Sequence, residues 1–267
     1  MANSFLVELL FLQMKILIVP DIHENLRFLD GIRVAEDLGA FDRVVLLGDY
    51  FDPRGDVVSG SRHLEEVART LVQWKDLLGD QLLMLCGNHD LPYYALRPAC
   101  RGDWAKANRF IGEWLAETTL ERARVINSVW DEFMWQELKG AVLLDGWLLS
   151  HSGVHPDFWP KDAGTVEKRM EIFDARWNRA MEEIFKVPED PIFSIGRARG
   201  GVAPTGGPLW LDWDAEFEDE LEVPQIAGHT RCAKDPQKGR SHCIDLAQSA
   251  YALLDDGELR LKQIASA

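Results

Sequence analysis

Short apolar runs alternate with amphipathic stretches over the first ninety residues. Lys15 to Val19, Arg43 to Leu47 and Gln81 to Cys86 are each apolar almost without interruption. Runs of that length without alternation suit strands buried on both faces. Between them, Leu26 to Leu38 sets Leu26, Leu29, Val34 and Leu38 among charges at helical spacing, with Gly39 as the expected cap. Ser61 to Leu78 repeats the helical pattern through Leu64, Val67, Ala68, Leu71, Val72 and Trp74, and Gly79-Asp80 ends it. The order strand, helix, strand, helix, strand predicts βαβ units and a mainly parallel sheet.

Beyond Asp90 the pattern loosens. It predicts a helix near Trp104 to Glu117, strands over Val125 to Leu138 and Ala141 to Ser150 with a turn at Gly146, and a helix over Lys161 to Lys186. Residues 188–208 are rich in Pro and Gly and read as a long loop, which in a compact domain is usually functional. Val223 to Ala227, Cys243 to Leu246, Ala250 to Leu254 and Glu258 to Ile264 read as closing strands, the last two joined by a tight turn at Asp255-Asp256-Gly257. The expected organisation is one domain over 1–267, with 155–210 inserted over the active-site face. The apolar run Phe5 to Leu12 is broken by Glu8 and lacks a basic flank. Residues 1–13 are therefore expected to be a packed extension or a stretch ahead of a native start at Met14.

Each of the first three strands is followed by residues that bind metal ions or move protons: Asp21-Ile-His23, Gly48-Asp49-Tyr-Phe-Asp52 and Gly87-Asn88-His89-Asp90. His151 and His229 follow later apolar runs. Ligands in such sheets collect where strand ends converge. Asp21 and His23, two apart in an extended loop, can reach one ion. Asp49 can bridge two cations, and Asn88 can offer an amide oxygen. This nitrogen and oxygen donor set suits manganese, with iron or zinc as alternatives. Two ions ~3.5–4 Å apart acidify a bridging water and clamp phosphoryl oxygens for in-line attack. His89 points away from its neighbour Asn88 and is a candidate general acid. Asp52 and Asp90 are candidates to orient it, Asp52 being preferred.

Charge narrows the substrate. Asp+Glu is 44 against Lys+Arg 29, a net −15. Such a chain has no electrostatic footprint for nucleic acid or anionic lipid, so neither general nucleic-acid binding nor membrane attachment is expected. Cys86, Cys100, Cys232 and Cys243 show no C-x-x-C spacing, which argues for reduced thiols and a cytoplasmic protein. His63, His155 and His242 are expected to be structural, with His155 the one nearest substrate.

Together these motifs resemble the blocks of the calcineurin-like metallophosphoesterase superfamily, all five in order from Asp21 to Thr230. The resemblance implies an α/β fold: a four-layer α/β/β/α sandwich with two mixed sheets and a dinuclear site. The second acid in Gly48-Asp49-Tyr-Phe-Asp52 and the segment His151-Ser-Gly-Val-His-Pro156 resemble the phosphoprotein phosphatase branch. Gly228-His229-Thr230 and Cys243-Ile-Asp245 are similar to lambda-type phosphatases and symmetrical diadenosine tetraphosphate hydrolases. By resemblance, Asp21, His23 and Asp49 would hold the first ion, and Asp49, Asn88, His151 and His229 the second. His89 would be the acid and Asp52 its partner. The branch places an Arg directly after the second Asp. Here Pro53 intervenes, so Arg54 is expected at the phosphate only if the turn does not carry it away. A second phosphate-binding Arg is expected between the two late histidines, Arg199 in preference to Arg197.

The expected activity is hydrolysis of phosphate monoesters, on a phosphoprotein or a small molecule, by a metal-activated hydroxide. The alternative is a hydrolase of dinucleoside polyphosphates or phosphodiesters, with Trp104, Trp159, Trp210 or Trp213 stacking on a base. A metal-free scaffold is disfavoured because no ligand position is missing. The pattern leaves the substrate and the oligomeric state open.

Overall fold

Strand β1 (Ile16–Val19) is buried along its whole length, and its two faces look at different layers. Leu17 and Val19 join a cluster with Phe28, Leu29, Ile32, Leu64 and Leu71. Ile16 and Ile18 join another with Val45, Val142, Leu149 and Ile226. A four-residue strand thus gains on both sides, at ~1.5–3 kcal/mol for each fully buried large aliphatic side chain. The computed structural model describes residues 14–103, 118–161, 164–185 and 190–264. The expected extension over 1–13 and the helix near Trp104 to Glu117 lie outside the described residues.

One sheet has six strands in the order β11, β10, β1, β2, β3, β4. β1, β2 (Arg43–Leu46), β3 (Leu82–Leu85) and β4 (Leu138–Lys139) run parallel. β10 (Ala250–Asp255) and β11 (Glu258–Gln263) complete it antiparallel. The second sheet has five strands in the order β5, β6, β7, β9, β8, drawn from Ala141–Leu144, Trp147–Ser150, Gln225–Ala227, Ser241–Cys243 and Gln237–Lys238 respectively. β6, β7 and β9 are parallel and the outer pairings antiparallel, so both sheets are mixed.

Helices α1 (Leu26–Ala35) and α2 (Ser61–Leu78) cover the outer face of the six-stranded sheet. The short helices α3 (Leu91–Ala95) and α4 (Arg97–Cys100) follow β3. Helix α5 (Leu120–Val129) and the short α6 (Glu132–Gln136) pack on the same side. Helix α7 (Val166–Glu183) sets Met170 and Phe173 against Ala141 and Leu148 of the second sheet. The layers are those of an α/β/β/α sandwich. Among the described residues, no helix is long and apolar enough to cross a membrane.

Three expectations are corrected. The stretch Val125 to Leu138 is not a strand. Thr119 caps α5 by accepting Arg122 N–H at 3.2 Å, Asp131 caps α6 by accepting Met134 N–H at 3.0 Å, and only Leu138 at its end enters a strand. Gly39 does not cap α1, which ends at Ala35 with Glu36 as its C-cap, and Val34 is 90% exposed. The strand expected over Cys243 to Leu246 ends at Cys243, because Asp245 turns the chain by accepting Ala247 N–H at 2.9 Å.

Candidate metal centre

The loops after β1, β2, β3, β6 and β7 converge at one edge of the two sheets. Asp21, His23, Asp49, Asn88, His89 and His151 are all buried there. His23, Asp49, Asp52 and His229 have φ of +47°, +51°, +63° and +64°. Left-handed backbone in non-glycine residues costs about 1–3 kcal/mol each and persists where the surroundings enforce it, most often at functional sites. Asp90 does part of the enforcing. Its carboxylate accepts the N–H groups of Asp49 at 2.8 Å, Tyr50 at 2.9 Å and Gly87 at 2.8 Å, tying the second loop to the third. Gly87 and Gly228 permit close approach: a Cβ on the first would collide with Asp49 and on the second with Asp21 Oδ1.

Two ligand triads share one residue. The donor atoms of Asp21, His23 and Asp49 lie within 4.8 Å of one another, and so do those of Asp49, His151 and His229. His23 directs Nδ1 to the Asp52 carbonyl at 2.8 Å, which leaves Nε2 facing Asp49 Oδ2 at 3.5 Å and Asp21 Oδ2 at 3.8 Å. His151 directs Nδ1 to the Leu47 carbonyl at 2.9 Å. Its Nε2 then faces Asn88 Oδ1 at 2.9 Å and Asp49 Oδ1 at 3.5 Å. With both Nδ1–H groups donated to carbonyls, the inner nitrogens are lone pairs turned toward other acceptors. Asp21 Oδ2 and His229 Nε2 are buried without a hydrogen-bond partner. A cluster of buried acceptors with two orphaned atoms fits divalent cations, which satisfy all of them.

Electrostatics agree. Burial pushes His23 down to about 4, against the pull of Asp21. Burial, then His151 and Arg199, hold His229 well below the usual range. Both rings are neutral and ready to ligate. Burial pushes the shared Asp49 carboxyl up to about 8, which marks the energy of a buried carboxylate lacking a cation.

His89 stands apart from the triads. Its Nδ1 lies 2.8 Å from Asp52 Oδ2, so Asp52 and not Asp90 is its partner. Burial works against protonation of His89, but Asp49 and Asp52 outweigh it and raise the ring above its usual range. Asp52 Oδ1 accepts Tyr93 O–H and lies 3.5 Å from Arg122 Nη2. Arg122 also pairs with the buried Glu24, which accepts Asp52 N–H at 3.0 Å. The sequence pattern missed this network. Arg122 comes just ahead of the stretch misread as a strand and carries no motif.

The cleft over these groups has a volume of about 470 Å³. Arg54 lines it despite Pro53, its Nη2 lying 2.7 Å from His89 Nε2. Arg199 lines it too, held by Asp212 at 2.8 Å and donating to Thr230 Oγ1 at 2.7 Å. Arg197 is exposed and does not line the cleft. His155 accepts Asp157 N–H at 3.2 Å and does not reach the cleft either. Arg231 and Asp245 do line it and were given no role by the pattern, although Arg231 directly follows Gly228-His229-Thr230.

A family model described as calcineurin-like phosphoesterase matches residues 14–230. Among solved structures, the chain is similar to a cold-active protein-tyrosine phosphatase of a psychrophilic Shewanella sp., at 15% identity and a TM-score of 0.54, over 94% of this chain and 80% of that one. It also aligns with a protein serine/threonine phosphatase from Saccharomyces cerevisiae at 16% identity and a TM-score of 0.48, over 95% of this chain and 80% of that one. At 15% identity the first likeness is one of fold. No curated protein sequence matches.

Proposed function

We propose, starting from the fact that this chain belongs to the calcineurin-like phosphoesterase family, that it is a metal-dependent phosphatase of phosphate monoesters. The observation that carries the reading is the pair of ligand triads sharing Asp49. Asp21, His23 and Asp49 would hold one divalent ion, and Asp49, Asn88, His151 and His229 a second. When bound, such a pair acidifies water and neutralises phosphoryl oxygens. Manganese suits this donor set, which has no thiolate, with iron and zinc as alternatives.

The chain's own residues do the rest. Arg54 and Arg199 present guanidiniums, whose forked donors match phosphate oxygens. Water attacks phosphorus, the P–O ester bond breaks, and the leaving oxygen takes a proton from His89, which Asp52 orients through Nδ1. Arg54 now occupies His89 Nε2. A guanidinium only donates, so it must leave Nε2 before His89 can give its proton there. Substrate phosphate and the imidazole thus compete for Arg54.

Among the described tryptophans only Trp210 lines the cleft, which leaves the dinucleoside reading little ring surface to stack on. Trp159 and Trp213 are buried in the core, Trp104 lies outside the described residues, and Trp210 packs edge-on to His229. Protein reconstituted with manganese should hydrolyse p-nitrophenyl phosphate and lose that activity in excess chelator. Undiminished turnover in chelator would sink the proposal.

A further inference from the structure

Beside the metal cleft lies a larger cavity of about 580 Å³. Arg54 and Arg231 line both, so the two spaces adjoin at these side chains. Resting on the phosphatase reading above, we propose that this cavity is a subsite for the second phosphate of a small-molecule bisphosphate whose first phosphate is hydrolysed.

Charge supports an anion. Arg27, from α1, joins Arg54 and Arg231 in the lining. Among the described residues, neither Arg27 nor Arg231 is held in an ion pair. The cavity also touches two acids, Asp56 and Glu24. Glu24 offers no repulsion at the surface, because its fully buried carboxylate is taken up by Asp52 N–H, Ser59 O–H and Arg122. Among the described lining residues, Arg27 and Arg231 against one exposed carboxylate form a local positive field in a chain of net −15.

Shape and lining decide which anion. The volume lies in the range of small-molecule sites, ~300–1,000 Å³. Among the described residues no Trp, Tyr or Phe lines it, and the His63 ring is tied through Nε2 to the Glu24 carbonyl at 2.9 Å, so a nucleobase finds no large ring to stack on. A peptide would require a strand edge or an apolar groove. The lining comes instead from the starts of α1 and α2 and from loops, with Leu26 and Val57 as apolar contacts for a short carbon linker. Hydrolysis would place the scissile phosphate over the metal ligands and the remaining phosphate on Arg27, with Arg54 and Arg231 between. Water supplies the oxygen to the released inorganic phosphate, and the product alcohol keeps its other phosphate.

The test compares 1,4-butanediol bisphosphate with butyl phosphate on the manganese-loaded protein, with p-nitrophenyl phosphate as control. The bisphosphate should show a kcat/KM about tenfold or more above butyl phosphate, the size of one charge-assisted contact. Arg27→Ala should remove most of that advantage through KM and leave p-nitrophenyl phosphate turnover unchanged. Equal kcat/KM for the two alkyl substrates, or an advantage that survives Arg27→Ala, overturns the assignment. So does a loss on Arg27→Ala confined to an acidic phosphopeptide. Calorimetric binding of the bisphosphate to wild type and Arg27→Ala separates the two readings. Binding weakened about tenfold in the variant, in a protein that does not turn over p-nitrophenyl phosphate, upholds the subsite while the phosphatase reading fails.

Discussion

Asp52 sits at a crossing of three demands. Its backbone is left-handed, its N–H is fixed by Glu24, and its carboxylate serves His89 and Tyr93 together with nearby Arg122. Burial alone would raise its pKa, but the hydrogen bonds from His89 and Tyr93 lower it, so it stays ionised and sustains the His89 cation. Asp52→Asn should therefore reduce turnover of alkyl phosphates about 10²-fold, and that of p-nitrophenyl phosphate far less, because a good leaving group needs little protonation. The sign of the pH effect follows. Asp52 holds the acid form of His89 to higher pH, so the variant's alkaline limb should move to lower pH. An unmoved limb, or equal loss on both substrates, removes the pair from proton transfer. Asp52 was legible because it stands three residues after Asp49. Glu24 and Arg122 were not, since their pairing spans 98 positions and neither belongs to a motif. A pattern that reads neighbours along the chain cannot register a contact of that span.

At the scale of elements, strand ends and the long helix α7 (Val166–Glu183) were legible, and the helices α5 and α6 were not. Strands β1, β2, β3, β6 and β7 each bear a motif or ligand at the end, and these signals point to the same crevice. Val125, Ile126, Val129 and Trp130 are β-formers by propensity, yet Ala123, Ile126 and Trp130 lie on one helical face and are buried. Caps at Thr119 and Asp131 decide for helix. The loops themselves depend on glycine where backbones meet. Gly228 sits against Asp21, whose Oδ1 accepts His229 N–H at 2.9 Å, so one carboxylate both faces the metal position and fixes the seventh strand's loop. Gly228→Ala must push Asp21 aside. The expected result is manganese affinity lowered about 10–100-fold, comparable with loss of an outer support of a ligand, with the far-ultraviolet circular dichroism of the fold retained. Unchanged affinity in a metal titration would mean that Asp21 can shift without cost.

For the whole molecule, the two-sheet layering was implied by the family resemblance, whereas the assignment of strands to sheets was not: β10 and β11 close the first sheet from the far end of the chain. The loops after β1, β2 and β3 bury Asp21, Asp49, Asp52 and Asp90 together in a protein already at −15, a charge that bound cations would offset. Asp49 has a folded pKa of about 8, above its ordinary value near 3.8. Between those values the metal-free folded state keeps a proton that the unfolded chain has lost, so this group costs stability progressively as pH rises from about 4 to about 8. His229, depressed by burial, works the other way, but only below its ordinary value of 6.5. Above that, Asp49 shares the penalty with Asp245, which burial also pushes up to about 8, and with Asp90, likewise raised by burial. A bound divalent ion requires Asp49 ionised and removes its share of the penalty, so the stabilisation by metal should grow with pH. At 100 times Kd, metal contributes about 2.7 kcal/mol, or roughly 5–10 °C in Tm for a chain of this length. Melting curves with manganese and with chelator should separate more at pH 8 than at pH 6.5. A constant separation would show that Asp49 titrates before the metal arrives and that the two triads are not joined through its carboxylate.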